Sequence, residues 1–183
     1  MVTDLESFKE SIKSNLELNF IERKEHVEKE MNMINVLISL YKGGNEFSYD
    51  EYCRSRMKFE LEACDSLDVE FDLDEVSEKE EVIIHGKVQR RFMSNPTNDP
   101  NEILKDVFSD WQANKICEFE KKAYHHIIKH SSVEMLKEKL GDTYENKKDY
   151  FDDICESRAK SHAEATAENN KAHYKEVIKD SLV

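Results

Sequence analysis

Glycine and proline are almost missing from this chain: four glycines and two prolines stand among 183 residues, about a quarter of the roughly 12% that ordinary globular proteins carry. Tight turns and left-handed backbone depend on glycine, and proline marks loops. A chain poor in both is restricted to long elements with few connections, which favours helices. The same scarcity removes chemistry. Loops that cradle phosphates need backbone amides brought close with no Cβ in the way. Gly43, Gly44, Gly86 and Gly141 cannot be arranged into a P-loop or a GxGxxG turn. The GxSxG elbow, HExxH, the EF-hand loop and the kinase signatures are absent as well.

Apolar residues at positions 5, 8, 12, 16, 20, 27, 31, 34, 38 and 41 step by three or four, with one break near Arg23 and Lys24. This spacing predicts one long amphipathic N-terminal helix within residues 1–44. Thr3 is its expected N-cap with Glu6 three residues on, and Gly43 or Gly44 its stop. A helix of that length would run to roughly 57 Å, longer than a domain of this size is wide, so part of it should project, bend or pair.

Within a region spanning residues 48–93, a short helix from Ser48 to Arg56 is followed by a change of period to two. Met57, Phe59, Leu61 and Ala63 alternate with polar neighbours, as do Leu67, Val69, Phe71 and Leu73, and then Val82, Ile84, Gly86 and Val88. Alternation predicts strands. A helix over the middle run would also stack Asp68 on Asp72 and Glu70 on Asp74, a repulsive spacing. The expected assembly is a small three-stranded antiparallel meander. The expected fold class is thus α+β and predominantly helical, a single domain over 1–183 with a C-terminal helical half from 99 to 183. Asp99 and Pro100 signal a helix start, the second at the first helical position. Ser131 or Ser132 is expected to cap a separate short helix stopped by Gly141. The last segment thins to alanines at 159, 163, 165, 167 and 172; it should be exposed or pack closely on another helix.

Forty acids against 27 bases give a net charge of −13. Residues 57–81 hold 11 acids and two bases, so most of the excess lies in 25 residues. On the expected meander, Glu60, Glu62, Asp68, Glu70, Asp72 and Asp74 share one face, a surface that would steer a basic partner. The same field excludes direct nucleic-acid binding, which needs clustered Lys and Arg, and disfavours anionic membranes. No stretch approaches about 18 apolar residues and the N-terminal ten residues carry no apolar run, so a cytoplasmic protein is expected. Cys53, Cys64, Cys117 and Cys155 show no CxxC pairing and read as buried free thiols.

His126 and His130, four residues apart, project from one helical face as two metal ligands would, although no third ligand is assigned to them. Glu22 with His26 and His173 with Glu176 are at helical contact spacing, but no Glu-x-x-His of the di-metal bundle type occurs. The leading expectation is a non-enzymatic, acidic protein-binding module that masks or inhibits a basic, nucleic-acid-binding type of partner through those six carboxylates, with no cofactor. The alternatives are a structural or assembly protein that self-associates through its long helices, and a metal-dependent helical enzyme using His126 and His130.

Overall fold

The computed structural model describes residues 4–42, 44–70 and 76–182, and all of their regular structure is helical. Seven helices are present among them: α1 (Leu5–Glu22), α2 (Lys24–Lys42), α3 (Tyr49–Asp65), α4 (Glu78–Ser94), α5 (Pro100–Leu140), α6 (Asp142–Asn146) and α7 (Lys148–Ser181). No described residue is in a strand, so the expected meander is absent and the α+β class is corrected to all-α. None of these helices is long and apolar enough to cross a membrane.

The frame is an antiparallel hairpin of α5 and α7, joined by α6. Asp99 starts α5 by accepting a hydrogen bond from the Asn101 amide, with Pro100 behind it, and Gly141 ends the helix at a φ of 52°, as the sequence signals. The expected break at Ser131 and Ser132 does not occur: both are buried inside one 41-residue helix, about 60 Å long. Ser131 satisfies its hydroxyl on the Ile128 carbonyl, which removes the need for a cap. Along α7 the buried positions are Phe151, Cys155, Ala159, Ala163, Ala167 and Ile178. This i, i+4 row lets two long helices approach closely because its middle has almost no side chain to separate them. Ala159, Ala163 and Ala167 give the close packing, while Ala165 and Ala172 face water.

The N-terminal helix is two helices. Apolar spacing slips at Arg23, which leaves the helical region with φ −115° and ψ 25°. Tyr49 donates its hydroxyl to the Phe20 carbonyl, next to the break. The expected cap Thr3 lies outside the described residues; Asp4 takes the role and accepts from the Ser7 amide.

Helix α3 explains why alternation misled. Its buried face carries Tyr52, Phe59, Glu60, Ala63 and Cys64, while Arg54, Lys58, Glu62 and Asp65 face water. Two charged residues, Arg56 and Glu60, stand on the inner face, so apolar residues alone show only the i, i+2 remainder of a helical stripe. Beyond Ser66 the chain leaves the helix, and Leu67 and Val69 pack beside Phe8, Phe119 and Ile127 without strand pairing. The third expected strand is α4, started by a capping box in which Ser77 and Glu80 exchange side-chain and backbone hydrogen bonds. Ile84 and Val88, one turn apart, bury it against Ile103, Val107 and Trp111 of α5.

Candidate metal centre

Where α2, α3 and α7 meet, each contributes a pair of ionisable residues one helical turn apart: His26 and Glu30, Arg56 and Glu60, Arg158 and His162. Spacing of i, i+4 puts both members of each pair on one face, and the three faces converge on Glu30. That carboxylate is 7% exposed. Its Oε2 lies 2.6 Å from Arg56 Nη1 and 3.5 Å from Arg158 Nη2. Its Oε1 lies 3.0 Å from His26 Nε2 and 3.3 Å from His162 Nδ1. The two imidazoles approach each other at 3.4 Å between their Nε2 atoms.

These groups are held from behind. Arg56 Nε donates to Glu60 at 2.8 Å, and Arg158 Nη1 donates to Ser132 Oγ of α5 at 2.6 Å. The buried serine thus ties the hairpin to the cluster. Close as the groups around Glu30 are, both of its oxygens and Arg56 Nη1 are buried without a partner in hydrogen-bond geometry. Burial opposes ionisation of Glu30, but Arg56, Arg158, His162 and His26 outweigh it and hold the carboxyl below its usual range. Burial also lowers the pKa of His162, with Arg158, Arg56 and His26 adding to it against the pull of Glu30. An ionised carboxylate beside a neutral imidazole is the protonation state that a metal ion requires.

The ligand atoms of His26, Glu30 and His162 all lie within 4.8 Å of one another. Donors about 2.0–2.2 Å from a tetrahedral zinc ion stand roughly 3.3 Å apart; Glu30 Oε1 meets His26 Nε2 and His162 Nδ1 on that scale, while the contact between the two imidazoles uses the other His162 nitrogen, Nε2. Two nitrogens and one carboxylate suit zinc or ferrous iron rather than magnesium or calcium. His26 and His162 also line a cavity of about 90 Å³ that lies among α1, α2, α3, α5 and α7. His26, with Arg23, borders an open surface groove as well, so solvent reaches the cluster from that side.

The residues singled out from sequence are elsewhere. His126 and His130 do stack on one face of α5, ring centres 6.4 Å apart. His126 Nε2 sits 3.0 Å from Ser66 Oγ and His130 faces Glu62 at 3.5 Å; they belong to no group of three ligand-type side chains among the described residues. Of the six carboxylates, the four that are described do not share one face. Glu60 is buried against Arg56, Glu62 faces His130, Asp68 and Glu70 are exposed beyond α3, and Asp72 and Asp74 lie outside the described residues. Asp65 and Glu80, from the same acidic stretch, meet Lys13 and Lys115. The missed signal was a charge on a core stripe: Glu30 falls in step with Val27, Ile34 and Ile38, where an acid is costly unless something pairs with it.

No protein-family model, curated protein or solved structure matches this chain.

Proposed function

We propose that this chain is a helical metal-binding protein that holds one divalent transition-metal ion of the zinc or ferrous type on His26, Glu30 and His162. The observation that carries the reading is the buried Glu30 carboxylate: Arg56 and Arg158 hold its Oε2, and its Oε1 faces His26 Nε2 at 3.0 Å and His162 Nδ1 at 3.3 Å. Three protein ligands leave a coordination position free, and the cavity beside His26 and His162 is where it would open. Metal content of untagged protein tests this, together with zinc titration against a chelator. One equivalent of metal in the native chain, lost in the His26→Ala/His162→Ala double variant, supports the reading. No uptake by either protein overturns it.

A second reading keeps the acidic module as a binder of a basic partner protein. It is favoured by the net charge of −13 and by the exposure of Glu62, Asp65, Asp68 and Glu70 along the end of α3 and the segment after it. Attraction of this kind is screened by salt. Reversing these four charges should abolish salt-sensitive binding of a basic partner, and an unchanged interaction removes the reading.

A further inference from the structure

We infer that the metal-loaded centre takes up a small carboxylate monoanion in the adjoining cavity, one oxygen on the ion, so that metal and anion bind cooperatively. The inference rests on the metal reading above and adds the ligand class. Charge demands it. Without an ion the centre is balanced, because the carboxylates of Glu30 and Glu60 face the guanidiniums of Arg56 and Arg158, with side chains 8%, 10%, 18% and 15% exposed. A divalent ion adds two positive charges to this interior. The cavity wall supplies no further acid: Glu60 is the one carboxylate among its described lining residues, and Arg23 adds a further positive charge at its rim. Uncompensated charge in a protein interior is expensive, and the cost falls steeply once a counter-charge sits beside it.

The cavity decides what kind of anion fits. One water molecule needs about 10–15 Å³ of such space, so the 90 Å³ present admits several waters or one short organic acid. Its polar lining includes His26, His162, Arg23, Arg56 and Glu60, and its apolar lining includes Leu16, Phe20, Ile127 and Ile128. Hydroxide could neutralise the ion but would leave the apolar body filled with water that has few partners there. A carboxylate with a short hydrocarbon tail suits this mixed lining: oxygen toward ion and guanidinium, carbon toward the leucine and isoleucines.

Cobalt(II) uptake by the metal-free full-length protein, followed by competition with a coloured chelator, tests this with sodium acetate and sodium butyrate as probes against sodium perchlorate of equal ionic strength. Coupling between two ligands at adjacent sites is typically about 5- to 150-fold, so cobalt affinity should rise at least about fivefold in either carboxylate. By reciprocity the carboxylate should bind the cobalt form more tightly than the metal-free form by the same factor. Leu16→Trp fills the cavity and should remove the gain. Should that variant fail to fold, Arg23→Gln at the exposed rim should still reduce it. Cobalt binding that is indifferent to both carboxylates overturns the inference and leaves the metal centre standing. No cobalt binding under any condition overturns both.

Discussion

The Glu30 carboxylate of α2 stands 2.6 Å from the Arg56 guanidinium of α3 in the interior of the helical assembly. Arg158 of α7 reaches the same oxygen at 3.5 Å, so one acid holds two cations from two other helices. Its removal strands one and weakens the hold on the other. Glu60 remains as a partner for Arg56, but Arg158 keeps only the neutral hydroxyl of Ser132 among its described contacts. Glu30→Ala should therefore cost about 3–5 kcal/mol, the range for breaking a buried pair by deleting one side. Urea unfolding followed by helical circular dichroism measures it. A loss under about 1 kcal/mol would show that water reaches the stranded guanidinium.

Glu120 presents the opposite case, a buried acid with no cation among its described partners. It is 1% exposed on α5 and receives hydrogen bonds from the Tyr174 hydroxyl at 2.6 Å and Asn170 Nδ2 at 3.4 Å, both from α7. Burial raises its pKa, against the pull of those two donors. A carboxyl whose folded pKa is raised favours the fold in its protonated form; that advantage is present below the unfolded value near 4.3 and is lost as pH climbs through it toward the folded pKa. Glu120→Gln removes the ionisation and keeps an acceptor for Tyr174. It should match or exceed the native stability at neutral pH and lose that advantage under acid. Melting temperatures of both proteins across that range decide it, and a variant weaker than native at neutral pH would show that the ionised form is the one the site prefers.

What the sequence made legible was whatever a single helix encodes locally. Asp99, Pro100 and Gly141 bracket α5 as their cap chemistry requires, and the alanine row of α7 packs as small residues do. Tertiary pairing was invisible. Arg56 and Glu60 occupy inner positions of α3 only because Glu30 waits across the interface; without that knowledge they read as solvent-facing and shift the apparent period from 3.6 to two. The capping box at Ser77 and Glu80 was a local signal and contradicted the third strand. For the site, the Glu22 and His26 spacing points one turn to the wrong side; the ligand-spaced acid is Glu30, which shares its stripe with core residues. His162, 136 residues away from His26, can be paired with it only through the fold.

The alanine row gives a prediction about packing. Ala159, Ala163 and Ala167 are 0%, 1% and 0% exposed where α7 lies on α5. Ala163→Leu introduces three carbons into a contact with no room for them. Overpacking of this kind costs about 1–3 kcal/mol, and for a chain of this size each kcal/mol lowers the melting temperature by about 2–4 °C. Calorimetry should show a fall of several degrees. Ala165→Leu, one turn-half away at an exposed position, should change the melting temperature little, and equal falls in both variants would argue against the close approach of the two helices.

At the far end of the hairpin the charge is arranged for acid resistance. Asp106 of α5 is gripped by Arg91 of α4 and by Lys175 and Lys179 of α7 at 3.3 and 3.4 Å. Partial burial works against its charged form, but these three cations outweigh that and bring its pKa down to about 2. A depressed carboxylate pKa stabilises the fold fully above the unfolded value near 3.9 and loses that contribution as pH falls through about 2. Asp106→Asn should thus lower stability at neutral pH by about 1 kcal/mol, the upper end for partly exposed pairs. The gap between variant and native should narrow below pH 4 and vanish near pH 2. A gap of constant size across that window would mean the aspartate acts through shape or hydrogen bonding alone, and the cations from α4 and α7 would need another reason to converge on it.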